Sequence, residues 1–476
     1  MPDAAASPLI EAVAISLDRI APGWDEAPIA IALSGGPDSV ALFLVSDHLC
    51  RRRGVSLRVL HVNHGLRAEA DAEAAQVEAL CRLRGRPCTI LKWTGEKPTT
   101  GVHQAAREAR YNLMAEACRS FGVTSLLVAH HLEDQAETVL HRIARDTGPD
   151  GLAGMAPLTH LHGIRLVRPL LSLSKAVLEA YVAAEEVPVF RDPSNQDRRF
   201  ARSRLRDMAA PLGASGVTVP RLGRLANLMG RARVQMDRLT AERLSGCVHL
   251  SSAGYAWLCL ATFRALPGSV ARRVLSGLVQ TIGGGIYPAR GDRLDRAVDW
   301  AEVAENGAAR TLGGCRIAIL RAPSDEGGRL CVAREWRSVD HEMVVEPGRA
   351  GLWDGRFEIA NGSGRPVSIR VAGEGGQELW KAFVRSNRPD RRYCDFDPAD
   401  WPGAARLALP AVVDLDGTVT LPHLSATTAD PFAWIGEDIR VRYAARAVPD
   451  WLRPRCSDAD MRAGSTPEPV NGRQAT

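Results

Sequence analysis

Short apolar runs alternate with amphipathic stretches through roughly the first two hundred residues of the chain. The apolar runs predict strands, and apolar residues spaced three or four apart predict helices. The predicted strands are Ile29–Leu33, Leu57–Val62, Cys88–Trp93, Ser125–Ala129 and Ile164–Val167. The predicted helices are Glu69–Leu83, His103–Phe121, Asp134–Arg145 and Ser174–Glu186. Such repeated units indicate an α/β fold with a parallel, doubly wound sheet, which binds ligands beyond the carboxyl ends of its strands.

The pattern changes beyond about residue 215. Helical spacing recurs in three segments, and short β-like runs with Gly-rich turns then follow. The helical segments are Val219–Gly246, Ser269–Ile282 and Arg290–Val303, and the β-like runs include Cys315–Arg321, Leu330–Arg334 and Gly351–Ile359. We therefore expect an α/β domain at 1–215, a mainly helical domain at 216–335, a β-rich domain at 336–450 and a disordered tail at 451–476.

The loop after the first predicted strand has the sequence Ser34-Gly35-Gly36-Pro37-Asp38-Ser39. Adjacent glycines let backbone N–H groups approach an anion, serine hydroxyls add donors, and the following helix begins with its positive end. These features predict a phosphate cradle, distinct from the Walker A loop and from the GxGxxG fingerprint. A carboxylate at position 38 beside phosphates indicates that Mg²⁺ lies between them. The alternative is an ordinary Gly-Pro turn.

Polar residues also follow the second and fourth predicted strands. His61, Asn63 and His64 follow the second strand, and the segment His130–Thr138 follows the fourth. We expect these groups to converge with the loop, because the carboxyl ends of parallel strands share one edge. The histidine and carboxylate spacing is not that of a zinc helix, so a nucleotide rim with Mg²⁺ held by Asp134 and phosphate oxygens fits better. The alternative is that the histidines end a strand and a carboxylate caps the next helix.

Composition narrows the class of protein. The chain has 476 residues, 45% of them hydrophobic, which suits two or three domains. No run approaches the roughly 20 apolar residues of a membrane span, and the N-terminus lacks a signal pattern, so we expect a soluble cytoplasmic protein. The ten cysteines include no CxxC pair. Free thiols are therefore favoured over disulfides, zinc or an iron–sulfur cluster.

Arginines are concentrated where the first predicted domain ends, although the net charge is only +5. The candidate RNA-binding residues are Arg191, Arg198, Arg199, Arg202 and Arg206. Several of them would share a helical face and could follow a phosphate backbone. A second group, on the next predicted helix, is Arg221, Arg224, Arg231, Arg233 and Arg238. The alternative is a solvated helix face.

Seven motifs occur together between about residues 29 and 206. They are Ser34–Ser39, His61–Arg67, Ala106–Tyr111, Ala129–Thr138, Gly148–Met155, Arg168–Leu170 and Asp192–Asn195. The first motif alone is typical of the N-type ATP pyrophosphatases as a whole. In combination the motifs resemble the tRNA(Ile)-lysidine synthetase family within that superfamily. The resemblance implies an adenine nucleotide alpha hydrolase-like fold for the first domain.

The resemblance also implies a reaction. Members adenylate the C2 carbonyl oxygen of the first anticodon cytidine in tRNA(Ile) with a CAU anticodon, and the amine of free L-lysine then displaces AMP. ATP and Mg²⁺ are the implied cofactors, and either a monomer or a homodimer is compatible. The implied nucleotide-binding residues are Ser34, Gly35, Gly36, Pro37, Asp38, Ser39, His61 and Asn63. The implied metal ligands are Asp38 and Asp134, and the implied catalytic residues are Asp38, Arg110, His130 and Asp134.

Two sites depart from the family pattern. Asp146-Thr147 stands where Gly-Ser is usual, and Ser203 stands where Asn is usual. Neither belongs to the phosphate loop, so we expect ATP chemistry to persist while affinity for RNA or lysine differs. Two other functions stay open: a tRNA thiolase, against which the lack of CxxC speaks, and an inactive RNA-binding protein of the same fold. A small-molecule amide synthetase is a weaker third choice, since it would not need an arginine-rich flank.

Overall fold

The computed structural model describes fourteen segments of the chain. They are residues 7–65, 70–94, 102–145, 147–161, 163–190, 209–285, 288–322, 325–339, 342–386, 402–413, 419–421, 433–435, 439–445 and 448–452. The following statements refer to these residues.

The N-terminal region alternates strands and helices around a single sheet. Its helices are α1 (Pro8–Ile20), α2 (Pro37–Arg53), α3 (Ala70–Leu83), α4 (Val102–Ser120), α5 (Leu132–Ile143), α6 (Pro149–Leu152) and α7 (Lys175–Ala184). Its strands are β1 (Ile29–Ala32), β2 (Leu57–Asn63), β3 (Cys88–Lys92), β4 (Ser125–Leu127), β5 (Leu158–Leu161) and β6 (Ile164–Val167). The sheet order is β3-β2-β1-β4-β6-β5, with all neighbours parallel except the antiparallel edge pair β5 and β6. The predicted α/β fold is confirmed.

Both faces of this sheet are covered, as a parallel sheet requires. Successive residues of β1 point to opposite faces. Ile31 belongs to a core that includes Phe43 of α2 and Leu178 of α7. Ala30 belongs to a second core, which includes Met114 of α4. Helix packing on both sides leaves the carboxyl ends of the strands as the edge where loops gather.

The region beyond residue 208 combines helices with three antiparallel sheets. Its helices are α8 (Ala209–Ala214), α9 (Val219–Arg243), α10 (Leu260–Arg264), α11 (Gly268–Gly283), α12 (Asp292–Val303), α13 (Gly373–Ser386) and α14 (Gly403–Leu407). The strands of its first sheet are β7 (Val248–Ser251), β8 (Tyr255–Cys259), β9 (Ala309–Leu312), β10 (Cys315–Ala322) and β11 (Asp325–Arg334), in the order β7-β8-β11-β10-β9. The other strands are β12 (Met343–Val345), β13 (Ala350–Trp353), β14 (Phe357–Asn361), β15 (Val367–Val371), β16 (Pro410–Val413), β17 (Val419–Thr420), β18 (Ala433–Ile435) and β19 (Ile439–Tyr443). They form two sheets, β12-β15-β16-β17 and β13-β14-β19-β18.

The structure corrects the predicted content of the middle region. Helices α9, α11 and α12 match the predicted helical segments, but the same region also holds a five-stranded sheet, so it is a mixed region and not a mainly helical one. One hydrophobic core extends from Leu244 to Trp451 and crosses residue 335. The division of the chain at that residue stays a prediction. Of the predicted tail, residues 453–476 lie outside the described residues.

Helix α5 lies where the N-terminal and later regions meet. Its neighbours are α6 and α9. Ala136 and Val139 of α5 form a small core with Leu222 and Ala226 of α9.

In the part of the chain that the structure describes, no helix combines the length and apolar character needed to cross a membrane.

Candidate active site

The phosphate loop, residues 34–39, leaves the carboxyl end of β1 and enters α2. Gly36 precedes the helix and Pro37 is its first residue. The N–H of Ser34 donates to Oγ of Ser39 at 3.2 Å, and the Ser39 hydroxyl donates to the carbonyl oxygen of Gly36 at 2.9 Å. The two hydroxyl oxygens lie 3.0 Å apart. The serines thus close the loop at the positive end of a long helix, which is the arrangement that an anion requires.

Gly35 is needed in this loop for two reasons. Its φ of +90° lies in the left-handed region that favours glycine. A Cβ at this position would lie 3.3 Å from Cγ2 of Val77, so there is little room for a side chain. The Gly35 carbonyl oxygen accepts a 2.9 Å hydrogen bond from the N–H of Phe190. The loop therefore lies close to α3 and is hydrogen-bonded to Phe190.

Two carboxylates and a histidine meet beside the loop. Asp38 lies in the first turn of α2, Asp134 lies in the first turn of α5, and His131 is the residue that precedes α5. Nε2 of His131 is 3.5 Å from Oδ2 of Asp38 and 3.5 Å from Oδ2 of Asp134. The N–H of His131 also donates to Oδ2 of Asp134 at 3.1 Å, which caps the helix. The N-termini of two helices thus converge on the Asp38–His131–Asp134 cluster.

The carboxylates determine the charge of His131. Burial alone would lower the pKa of this imidazole, but the hydrogen bonds that it donates to Asp38 and Glu133, together with the charge of Asp134, outweigh burial and raise the pKa to about 10. Nδ1 of His131 lies 3.0 Å from Oε2 of Glu133, and the same carboxylate oxygen accepts a hydrogen bond from the Lys175 N–H at 2.9 Å. Burial alone would raise the pKa of Glu133, yet these partners hold it below its usual range.

The cluster fits a hard divalent cation. Oδ1 of Asp38 is buried and accepts no hydrogen bond from the described residues. Carboxylate oxygens are the protein ligands that Mg²⁺ prefers, usually together with substrate phosphates and water. No group of three or more metal-ligating side chains is found in the described part of the chain. Asp38 and Asp134 would therefore share the ion with ligands from outside the protein.

His61 and Asn63, at the end of β2, are both buried. Nδ1 of His61 lies 2.9 Å from the Leu33 carbonyl oxygen, and burial lowers the pKa of this imidazole. Asn63 donates to Oδ1 of Asp71 at 2.7 Å and accepts from the Gly65 N–H at 2.8 Å. These contacts hold the loops after β1 and β2 in place. A direct role of either residue in nucleotide binding stays a prediction.

Arg110 lies in the middle of α4, and His130 follows β4. Arg110 is on α4, where its guanidinium carbon is 5.7 Å from the ring centre of Tyr111. His130 is half-buried and directly precedes His131. Their predicted catalytic roles stay predictions. The residue that joins the two carboxylates is His131, which belongs to the segment expected to converge with the phosphate loop but was given no role of its own.

The candidate RNA-binding residues are not among the described ones. Arg191, Arg198, Arg199, Arg202 and Arg206 lie outside the described residues, as do the unusual residues Asp146 and Ser203. Their roles stay predictions.

Comparison with known proteins identifies the family. A profile described as a PP-loop domain matches residues 10–212. A tRNA(Ile)-lysidine synthase from Ruegeria pomeroyi is 35% identical over 382 residues, covering 80% of this chain and 88% of the relative. The chain belongs to the tRNA(Ile)-lysidine synthase family. A second member, from Methylobacterium nodulans, is 41% identical over 332 residues, covering 68% of this chain and 95% of that protein. The resemblance predicted from the motifs is confirmed.

A solved structure of another protein is also similar. The U34-tRNA thiolase NcsA from Methanococcus maripaludis is 16% identical with a TM-score of 0.41, covering 47% of this chain and 79% of that one. It is a more distant neighbour than the lysidine synthases, and this similarity does not favour one function over another.

Proposed function

We propose that this protein ligates L-lysine to C2 of the first anticodon cytidine of tRNA(Ile) with a CAU anticodon, forming lysidine, AMP and pyrophosphate. The observation that carries the proposal is the meeting of the phosphate loop with the Asp38–His131–Asp134 cluster at the N-termini of α2 and α5. The names of the relatives supply the substrate.

In the first step the C2 carbonyl oxygen of cytidine attacks the α-phosphorus of ATP, and the bond to the β-phosphate breaks. The phosphate loop would bind the departing pyrophosphate through backbone N–H groups and the hydroxyls of Ser34 and Ser39. Asp38 and Asp134 would hold Mg²⁺, which when bound supplies positive charge to the phosphates. His131 lies 3.5 Å from each carboxylate, so it fixes their positions and its positive charge reduces their mutual repulsion.

In the second step the ε-amine of lysine attacks C2 and AMP leaves with the oxygen. The ammonium group must first lose a proton, so a carboxylate has to bind it and accept that proton. Asp134 and Glu137 are three residues apart on α5 and therefore lie on one helix face. We assign the lysine subsite to this face and leave the choice of base between these two residues.

The tRNA partner follows from the same proposal. The arginines between 191 and 206 would follow its phosphate backbone toward the site, and the cytidine would have to be turned out of its stack for C2 to be reached. The reaction takes place where tRNA and ATP meet, and on this ground we place the protein in the cytoplasm. It can proceed in a monomer or in a homodimer.

The two other functions make different predictions. A thiolase needs reactive cysteines, whereas this chain has no CxxC and the cysteines that the structure describes are free and in the majority buried. An inactive RNA-binding protein would not need the closed phosphate loop or a buried Asp38 oxygen. Both observations favour the lysidine reaction.

The test is AMP release from ATP by the purified protein, with tRNA(Ile) and lysine each supplied or omitted. The Asp38→Ala variant is the inactive control, and Asp25→Ala is the matched control, because Asp25 forms an ion pair with Arg53 on α2. We expect AMP release that requires both substrates and disappears only in Asp38→Ala. Binding of tRNA without AMP release under any supply of amino acid or sulfur donor would overturn the proposal and favour the inactive alternative.

A further inference from the structure

Helix α5 is hydrogen-bonded near both of its ends to the segment that follows it. Gln135, next to Asp134, donates to the Met155 carbonyl oxygen at 3.0 Å and accepts from the Met155 N–H at 2.7 Å. At the other end Arg142 donates to the carbonyl oxygens of Gly151 and Gly154 at 2.6 and 2.7 Å. These contacts fix the direction of α5, which carries Asp134. We call residues 149–155, which include α6, the first wall around α5.

The second wall is α9. Leu222 and Ala226 pack against α5 in the small core that the two helices share. Gly223 allows the closest approach, since a Cβ there would lie 2.4 Å from Cδ1 of Leu132, the first residue of α5. Helix α5 is thus held between α6 and α9, and its first residue lies close to the backbone of α9.

Arg273 of α11 connects the two walls. Its Nη1 lies 2.5 Å from Oδ1 of Asp237 on α9, and its Nη2 forms a second ion pair with Asp150 of α6. The side chains of Arg273 and Asp237 are only 13% and 17% exposed, so this pair is better shielded from water than a surface ion pair, whereas Asp150 is 54% exposed. Its neighbour on α11, Val274, is buried in the core of the C-terminal region. One guanidinium group therefore ties both walls around α5 to that core.

We propose that Arg273 is a positioning residue for the reaction: it holds α6 and α9 against the C-terminal region so that α5 keeps Asp134 and His131 in place beside the phosphate loop. The inference rests on the proposed function. A planar guanidinium can reach two carboxylates in fixed directions, whereas a lysine ammonium is a single point of charge. Arg273 acts through α5 and does not contact the reacting groups.

This role predicts a specific kinetic signature. Arg273→Met should lower kcat for tRNA- and lysine-dependent AMP formation about tenfold, because small displacements of catalytic groups have large effects on rate. The KM for ATP should change less than kcat, since the phosphate loop is hydrogen-bonded to Phe190 and not to the walls around α5. Arg273→Lys should restore part of the rate. Asp150→Asn and Asp237→Asn should each cause part of the loss and add little to Arg273→Met, because partners in one network are not additive.

Arg272 provides the matched control. It is the adjacent residue on α11 and pairs with Asp295 of α12, so its ion pair joins two helices beyond residue 208 and does not involve the walls. Arg272→Met removes the same charge and should leave kcat unchanged. Equal kcat values for the Arg272→Met and Arg273→Met variants would overturn the inference.

Hydrogen exchange of the full chain separates this inference from the proposed function. Arg273→Met should speed amide exchange in residues 132–143 while exchange in α2 stays as in the wild type. A uniform increase throughout the protein, with a lower unfolding temperature, would show a merely structural role and overturn the inference. If the wild type forms no AMP with tRNA and lysine, the proposed function fails, and the exchange measurement still decides whether Arg273 positions α5.

Discussion

The two carboxylate oxygens of Asp38 have different surroundings. Its Oδ2 faces His131, while its Oδ1 is buried and accepts no hydrogen bond from the described residues. Changing Asp38 to Asn keeps the shape but removes the charge that a cation needs. We expect AMP formation to fall about a hundredfold or more and the required Mg²⁺ concentration to rise. Initial rates over a Mg²⁺ series, with Asp25→Asn as control, measure this; an unchanged Mg²⁺ dependence would contradict it.

His61 should make stability depend on pH in the acidic range. Burial lowers the pKa of this imidazole in the folded state below its ordinary value of 6.5. The unfolded chain therefore binds a proton first, and the stability contributed by neutral His61 is present above pH 6.5 and is lost as pH falls toward the folded pKa. The loss is at most about 1.4 kcal/mol per pH unit.

Urea unfolding at a series of pH values tests this dependence. His61→Asn keeps a hydrogen-bonding group near the Leu33 carbonyl oxygen but does not titrate, so the stability difference from the wild type should shrink between pH 7 and 5. His48→Asn is the control, since His48 is exposed on α2. A difference that stays constant over this range would refute the interpretation.

At the scale of elements, the two glycines of α9 form a natural pair for an experiment. Gly223 faces Leu132 so closely that a Cβ would lie 2.4 Å from its Cδ1, whereas a Cβ at Gly230 meets no atom within 4 Å. Gly230→Ala should stabilise the protein by about 0.5–1 kcal/mol through helix propensity. The stability of Gly223→Ala should be about 1 kcal/mol below that of Gly230→Ala, because Leu132 must shift to make room for the methyl group. The same shift at the start of α5 should slow AMP formation. Measuring the unfolding free energy and kcat of both variants tests this. Equal changes in the two variants would contradict the packing argument.

The elements also show what can be predicted from sequence. Strand β1 is a continuous apolar run and β6 is apolar except for Arg165, and the sequence predicts both to within a residue of their ends. The edge strand β5 is not predicted, because Leu158–Leu161 has two adjacent polar residues in its middle and the strand forms through its pairing with β6. β7 is half-buried throughout and depends in the same way on β8. Helix α1 was missed although its pattern was readable, since Leu9, Val13 and Leu17 repeat every four residues and are buried.

The site shows the same limit more sharply. The phosphate loop could be predicted because its chemistry is local, with glycines, serines and a helix start in six adjacent residues. The role of His131 could not, because two adjacent histidines look alike in sequence. Only the cap of α5 directs Nε2 of His131 toward Asp38, which is ninety-three positions away in the chain. Contacts between the starts of two distant helices depend on the packing of the sheet between them.

At the scale of the whole molecule, the region beyond residue 208 is united by one core and by a buried ionic group. Asp354, in the turn between β13 and β14, accepts hydrogen bonds from Arg334 at 3.0 and 2.9 Å and from Arg356 at 2.7 Å. Arg334 ends β11 of the five-stranded sheet. The three side chains therefore join two sheets across residue 335, where the sequence predicted a domain boundary.

Asp354→Ala should test whether the two sheets unfold together. The change leaves two buried guanidinium groups without their carboxylate, which costs about 3–5 kcal/mol. Glu358→Ala is the control, because its ion pair with Arg442 is exposed and worth about 0–1 kcal/mol. If the sheets form one cooperative unit, hydrogen exchange in β8, β11, β14 and β19 should accelerate together in Asp354→Ala, while β1 and α2, which lie in a separate core, keep their protection. Acceleration confined to β14 and β19 would instead show that the chain divides near residue 335 as the sequence predicts.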